Sequence, residues 1–298
     1  MTESGNSDKT NLNRRDVLGV GVATVAAATS LPTFAAADED RPFPVVDTNV
    51  SMFQWPFRRL PLDETTLLVG KLKSLGVTEA WAGSFEALLH RDISEVNRRL
   101  IKECTQHTML LPIGSINPAM PSWQNDLRFC MEHNVRGIRL HPNYHDYTLD
   151  TPEFKQLLQM SSQTKLVVQI CVAMEDTRTQ HSSLQVQDVD LSPLSSLVSE
   201  IPSAKVQILN YRPRGNVFAE LAKHRQIFFD TSRVDSTDGV PNLVAQVSAR
   251  RVLFGSHAPF LIPEAALIRL NEAGRLDVST MQSVLSANAA QLCRRGGV

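Results

Sequence analysis

Apolar segments of strand length alternate with amphipathic segments of helical period from about residue 45 onward, and this repetition constrains the fold more than any other feature. Alternating strand and helix units favour a parallel sheet joined by right-handed crossovers, and eight units allow the sheet to close. No glycine-rich phosphate loop follows the first strand, which weakens the alternative of an open doubly wound sheet. The sequence therefore predicts an α/β fold, a single-domain (β/α)₈ barrel. The predicted strands cover 45–51, 78–83, 109–116, 137–141, 166–172, 205–210, 226–230 and 251–257.

The first predicted strand, Val45–Ser51, ends in polar residues. Side chains alternate between the two faces of a strand, so Asp47, Asn49 and Ser51 are predicted on one face and Thr48 on the other. A (β/α)₈ barrel builds its active site at the carboxyl ends of its strands. We therefore expect the polar face of this strand to contribute to a site at that mouth.

Residues 1–37 are predicted to be a twin-arginine-type signal peptide, with the barrel over 38–298. Arg14 and Arg15 precede a modestly apolar run, and Ala35–Ala37 has the small-residue pattern of a cleavage site. Because Pro32 interrupts the run, it makes a poor membrane span. We expect Tat export to the periplasm or the exterior, without stable membrane insertion of the mature protein.

The overall charge gives no reason to expect a nucleic-acid partner. The formal net charge is −1, and no long Lys/Arg block is present. The four cysteines are widely spaced and form no C-x-x-C pair, so neither a zinc knuckle nor a disulfide framework is indicated. The expected partner is a small-molecule substrate, and a homo-oligomer is compatible with the composition.

The later strands deliver further polar residues to the same mouth. His141 and His257 both fall at predicted strand ends, which favours a functional role for the two imidazoles. Arg139 shares a face with His141, and a guanidinium inside a barrel needs an acidic partner, for which Asp47 is predicted. Three further residues at or just beyond strand ends are candidates for substrate binding: Cys171, Glu175 and Asn210.

Three loops at the mouth carry candidate binding residues. Trp55 and Arg58 follow the first strand, where aromatics beside arginines suit an anionic or carbohydrate-like ligand; packing of the aromatics onto the barrel is the alternative. Asn143 and Tyr144 follow the fourth strand, in a run dense in hydrogen-bonding groups. Residues 173–190 form a long loop, and loops of this length inside a compact domain are usually functional.

Three motifs in order resemble the amidohydrolase-related group of metal-dependent barrels. They are Val45–Asn49 (VVDTN), Gly137–Pro142 (GIRLHP) and Val252–Pro259 (VLFGSHAP). The likeness covers nearly all of the chain after residue 37. It implies a barrel hydrolase that uses zinc or another divalent metal. In that family two strand-1 histidines, a histidine on each of strands 5 and 6, and a strand-8 aspartate bind the metal.

This chain departs from the family pattern at every one of those positions. Asn49 and Ser51 stand where the strand-1 histidines would be, Cys171 and Asn210 occupy strands 5 and 6, and His257 replaces the strand-8 aspartate. Asn and Ser are poor ligands for a catalytic zinc. The resemblance therefore predicts the barrel and leaves the cofactor open.

Three interpretations follow. A hydrolase working without the usual metal would act on a small cyclic ester, amide or carboxylated substrate, with His257 as general base and Arg139 or His141 polarising a carbonyl. A relocated metal would be held by His257, His141, Cys171 and Asp47. A non-catalytic binding barrel would keep the pocket and lack hydrolysis. The catalytic candidates are Asp47, Arg139, His141 and His257, and the substrate-binding candidates are Asn49, Ser51, Trp55, Arg58, Asn143, Tyr144, Cys171, Glu175 and Asn210.

Overall fold

Eight parallel strands, adjacent in space in the order of the sequence, form the centre of the computed structural model, which describes residues 43–272 and 274–293. The backbone N–H groups of Thr48 and Ser51 donate to the carbonyls of Phe254 and Ala258, so the first strand meets the last. The closed sheet confirms the predicted (β/α)₈ barrel. The strands are β1 Val45–Met52, β2 Val77–Ser84, β3 Leu110–Ser115, β4 Gly137–Leu140, β5 Val167–Cys171, β6 Val206–Leu209, β7 Ile227–Asp230 and β8 Val252–Leu253.

Helices alternate with the strands, and local sequence explains where several of them begin. Asp92 accepts a hydrogen bond from the Glu95 N–H at 2.9 Å and caps one helix. Thr151 caps another, which has Pro152 in its first turn. The helices are α1 Thr65–Ser74, α2 Ile93–Cys104, α3 Trp123–Glu132, α4 Pro152–Gln163, α5 Leu194–Glu200, α6 Gly215–Leu221, α7 Gly239–Val247, α8 Pro263–Glu272, α9 Val278–Gln282 and α10 Asn288–Leu292.

The barrel interior is layered, and β5 contributes one side chain to each layer. Val167 lies in an apolar cluster at the amino end of the strands, Gln169 in a polar middle layer, and Cys171 in an apolar cluster at the mouth. This follows the period-two alternation of a strand whose inward face fills a barrel. The polar side chains of the middle layer are satisfied by one another. Gln169 donates to Gln207 at 2.8 Å, and Gln207 donates to the Thr48 hydroxyl at 2.7 Å.

The predicted alternation along β1 is wrong at Thr48. The Thr48 hydroxyl lies in the polar middle layer, although it was expected on the face opposite Asn49. Asn49 also reaches the barrel interior, where it contacts Asn210. The register of β1 against β2 shifts between Asp47 and Val50, and such an irregularity breaks strict alternation by bending the strand.

The predicted signal peptide, residues 1–37, lies outside the described residues and stays a prediction. Within the described part of the chain, no helix combines the length and the apolar character needed to cross a membrane. The predicted long loop is present, because no helix or strand occurs between the end of β5 and the start of α5. We call residues 53–64 the β1 loop and residues 172–193 the β5 loop.

Candidate active site

The carboxyl ends of the strands bring most of the predicted site residues into one buried group. Asp47, Arg139, His141, Asn210 and His257 are each at most 2% exposed. Burial of so many polar side chains is costly unless they are paired, so the partners of each decide what the group can do.

A network of side chains ties β1 to the ends of β6 and β7. The amide nitrogen of Asn49 donates to Asn210 Oδ1 at 2.8 Å and to Asp230 Oδ2 at 2.6 Å. The other oxygen of Asp230 accepts from the backbone N–H of Asn210 at 3.1 Å, and Ser232 donates to Asn210 Oδ1 at 3.0 Å. Gly255 makes room for the network, since an added Cβ would lie 2.9 Å from Asp230 Oδ2.

Asp47 is held by backbone groups on one side only. Its Oδ1 accepts from the N–H groups of Ser256 at 3.0 Å and Asn49 at 3.1 Å, whereas Oδ2 is buried without a hydrogen-bond partner. Burial raises the pKa of Asp47 to about 6, and burial likewise raises the pKa of Asp230 to about 6. Both carboxyl groups therefore titrate close to neutrality.

Arg139 does not pair with Asp47, so that prediction is wrong. Its guanidinium donates to Gln169 Oε1 at 2.8 Å, to the Val50 carbonyl at 2.9 Å and to Ser51 Oγ at 3.2 Å. A longer bond of 3.4 Å reaches the carbonyl of Trp81. Neutral acceptors satisfy this buried cation in place of a carboxylate, and they hold it in the barrel interior.

His257 is held in one tautomer by a backbone carbonyl. Its Nε2 lies 2.9 Å from the Met174 oxygen, and a carbonyl can only accept, so Nε2 carries the hydrogen. Nδ1 is buried without a partner. Burial lowers the pKa of His257 to about 3, which keeps the imidazole neutral with its lone pair on Nδ1. The backbone here is left-handed, with φ of 58°, and the ring stacks on Phe260 at 5.1 Å.

His141 is a second neutral imidazole in the same group. Burial lowers its pKa well below the usual value, and the positive charge of Arg139 acts in the same direction. Its Nδ1 is also buried without a partner, and its ring lies 5.9 Å from that of His145. The two histidines predicted as catalytic are therefore close enough to interact electrostatically.

Trp55 packs in an aromatic cluster over the mouth. It is 2% exposed, and its ring lies 5.1 Å from Phe260, 5.3 Å from Phe85, 5.7 Å from Phe57 and 6.4 Å from Tyr144. Pairs at these distances and steep angles contribute to packing. Trp55 thus agrees with packing onto the barrel, the alternative to ligand binding. The same cluster includes Cys171, Met174 and Leu209.

The remaining predicted binding residues divide into two places. Arg58 of the β1 loop pairs with Glu175 of the β5 loop, with Nη1 and Oε1 2.5 Å apart. Asn143 donates to the carbonyls of Gln187 at 2.8 Å and Val172 at 3.3 Å, so it braces the β5 loop. Asn143 lines a separate cavity of about 600 Å³ between the segment that joins β4 to α4 and the β5 loop.

The residues at the family's metal positions do not suit a metal ion. Asn49 presents its amide nitrogen, a donor, to Asn210 and Asp230. The Cys171 thiol lies in the apolar cluster with Trp55, Met174 and Leu209. Among the described residues, no three His, Cys, Asp or Glu side chains gather in a metal-binding arrangement. The relocated site built on His257, His141, Cys171 and Asp47 is therefore not formed.

Sequence reasoning missed several residues that organise the site. Gln169 points inward from β5 and Gln207 points inward from β6. The period-two alternation of these strands would have identified both residues. Asp230 was not among the predicted site residues, and it anchors Asn49. The role of Met174 rests on its backbone carbonyl, which no side-chain pattern reveals.

A family model described as amidohydrolase matches residues 55–295 of the chain. No curated protein sequence gives a significant match. Three solved structures illustrate the likeness in fold. The 2,6-dihydroxybenzoate decarboxylase from Rhizobium has a TM-score of 0.62 at 15% identity, with 83% of this chain and 98% of that chain covered.

The 5-carboxyvanillate decarboxylase from Novosphingobium aromaticivorans, solved as its D314N mutant, has a TM-score of 0.66 at 12% identity, covering 85% of this chain and 98% of its own. A Pseudomonas putida protein assigned as a 2-pyrone-4,6-dicarboxylic acid hydrolase has a TM-score of 0.60 at 16% identity, covering 84% and 97%. At these identities the structural likeness shows the shared barrel fold and does not identify a reaction.

Proposed function

The chain belongs to the amidohydrolase family, and from this premise we propose that it is a hydrolase that works without the family's metal on a small cyclic ester, cyclic amide or carboxylated substrate. The proposal rests on one observation, the Nδ1 lone pair of His257. That atom is buried, has no partner, and belongs to an imidazole whose other nitrogen is fixed as a donor. A neutral imidazole with a free lone pair is the form that accepts a proton from an attacking water.

A cationic donor beside His257 completes the proposed chemistry. Arg233 donates from Nη2 to the Met174 oxygen at 3.2 Å, the same oxygen that His257 contacts, so guanidinium and imidazole are neighbours. The Nε of Arg233 is buried without a partner. We assign to Arg233 the polarising role that was predicted for Arg139 or His141, because the donors of Arg139 are taken up inside the barrel.

The test is turnover by the purified mature protein against a panel of lactones, cyclic amides, esters and aromatic carboxylates. His257→Asn is the informative variant, because Asn tolerates the left-handed backbone at this position and removes the imidazole. We expect kcat to fall by about 10²–10⁴-fold. Unchanged turnover in a folded His257→Asn protein would remove His257 from the mechanism.

A second function, a non-catalytic binding barrel, is favoured by a different observation. The pKa of about 3 makes His257 a weak base in the closed structure, and Trp55 packs over the mouth. Under this function a panel compound would raise the melting temperature without being consumed. Turnover of any compound that also raises the melting temperature would decide for the hydrolase.

Export is proposed from sequence alone. Replacing Arg14 and Arg15 by lysine in the full chain should leave the protein in the cytoplasm if the twin-arginine pattern is read as a signal. Fractionation of cells that carry the tagged protein measures this, and equal export of the two forms would overturn the proposal.

A further inference from the structure

The β1 loop and the β5 loop meet over His257 through an ion pair. Arg58 Nη1 lies 2.5 Å from Glu175 Oε1, and the Glu175 side chain is 2% exposed whereas that of Arg58 is 45% exposed. A second contact joins the same loops, since the rings of Phe57 and His181 stack at 5.8 Å with an interplanar angle of 17°. We call the Arg58–Glu175 pair the latch.

The latch closes a ring of contacts that includes His257. The Arg58 guanidinium lies 5.1 Å from the centre of the Phe260 ring, and Phe260 stacks on His257. His257 donates to the carbonyl of Met174, and Met174 is covalently joined to Glu175, the partner of Arg58. Each side of the imidazole is thus set by a group that the latch holds: its face by Phe260 and its Nε2 by the Met174 oxygen.

We infer that Arg58 and Glu175 are positioning residues, which gate the mouth and fix the His257 tautomer in one step. With the latch formed, His257 is fully buried and Nδ1 is left as the acceptor. With the latch broken, the Met174 carbonyl loses the restraint that Glu175 places on its segment of the β5 loop and is left with its hydrogen bonds from His257 and Arg233. Phe260, which packs on Trp55 at 5.1 Å, loses its contact with Arg58. The inference rests on the proposed function only where it treats the Nε2–H tautomer of His257 as the catalytic form. The contact between the β1 loop and the β5 loop does not depend on any reaction.

Arg59 provides the matched control, since it is adjacent to Arg58 and also makes an ion pair. It pairs with Asp63 at 2.5 Å and 2.8 Å and with Glu64 at 3.2 Å, all within its own loop, and has a 65% exposed side chain. Neither partner belongs to the ring of contacts around His257. Arg59→Gln therefore removes a charge and an ion pair from the same loop without touching the latch.

The experiment measures two quantities in the full mature chain. Long-range proton–nitrogen NMR correlation on ¹⁵N-labelled protein reports which imidazole nitrogen carries the hydrogen, with the His257 signals assigned from His257→Asn. Acrylamide quenching reports a gain in exposure of Trp55 when the loops part, because Trp55 belongs to the β1 loop. The other two tryptophans, Trp81 on β2 and Trp123 on α3, lie outside both loops and are at most 3% exposed.

Arg58→Gln and Glu175→Gln should each raise the quenching constant by about twofold or more and give His257 a mixture of tautomers. Arg58→Lys should restore much of both properties, and Arg59→Gln should match the wild type. A His257 that stays in the Nε2–H form, with Trp55 still shielded, in both latch variants would overturn the inference. Neither readout uses turnover, so an inactive protein that shows these changes would contradict the proposed function and leave the latch standing.

Discussion

The side-chain amide of Asn49 donates to Asp230 at 2.6 Å, across 181 positions of sequence, and so links the first strand of the barrel to the seventh. The sequence resemblance predicts that Asn49 stands where the family carries a metal-binding histidine. In this structure its amide donor meets a carboxylate directly. A network of hydrogen bonds thus holds these strand ends together.

Replacing Asn49 by alanine should destabilise the protein by about 2–4 kcal/mol, because Asp230 stays buried and loses its strongest donor. Urea unfolding at neutral pH measures this. Asn242→Ala is the control, since Asn242 is exposed on α7, and its replacement should change stability by less than about 0.5 kcal/mol. Equal stability of the two variants would show that the Asn49 network contributes nothing.

Replacing Gly83 by alanine should disturb the polar middle layer. An added Cβ would lie 2.6 Å from Arg139 Nη1 and 2.9 Å from its Cζ, so the buried guanidinium must shift away from its acceptors. We expect a loss of about 1–3 kcal/mol.

Gly70→Ala is the matched control for this substitution. Gly70 is exposed on α1 and has no atom within 4 Å of an added Cβ, so alanine should stabilise the helix by roughly 0.5–1 kcal/mol. Thermal or urea unfolding of both variants should therefore show shifts of opposite sign. A Gly83→Ala protein as stable as the wild type would mean that Arg139 has room the structure does not show.

The raised pKa of Asp47 predicts a loss of stability as pH rises. The ordinary pKa is 3.8 and the folded value about 6, so between these values the folded protein holds a proton that the unfolded chain has released. The stabilisation that comes from protonated Asp47 is fully present below about pH 4 and is lost by about pH 6. The corresponding change in the free energy of unfolding is roughly 3 kcal/mol.

Asp47→Asn isolates this effect, because an amide oxygen can still accept from Ser256 and Asn49. Between pH 4 and pH 7 the free energy of unfolding of the variant should rise by roughly 3 kcal/mol relative to that of the wild type. Urea unfolding across that pH range measures this. Parallel stability curves for the two proteins would show that Asp47 does not carry the raised pKa.

Metal removal should leave the protein unchanged. Because Asn49 and Asn210 hydrogen-bond to each other, and no three His, Cys, Asp or Glu side chains gather among the described residues, we expect elemental mass spectrometry to find far less than one equivalent of zinc, manganese or iron after expression with these metals supplied. Incubation with a chelator should not alter the melting temperature. One bound equivalent that is lost on replacing His257 or Cys171 would restore a metal-dependent mechanism.

Much of the architecture follows from local pattern. Eight strand–helix repeats predict the closed barrel. Period-two alternation predicts which side chains near the strand ends point into the barrel. His141 and His257 share an environment for that reason. The same rule fails at Thr48, because one register shift in β1 alters which side chains point inward.

The sequence by itself determined the barrel, the family and the polar character of the mouth, because these depend on short repeats and motifs. Only the tertiary structure decided which groups meet there. The acceptor of His257 is a backbone oxygen 83 residues away, and Arg139 is satisfied by acceptors on β1, β2 and β5. Such contacts depend on strand register and on the conformation of the long loops. Neither can be predicted from the pattern of side chains along the chain.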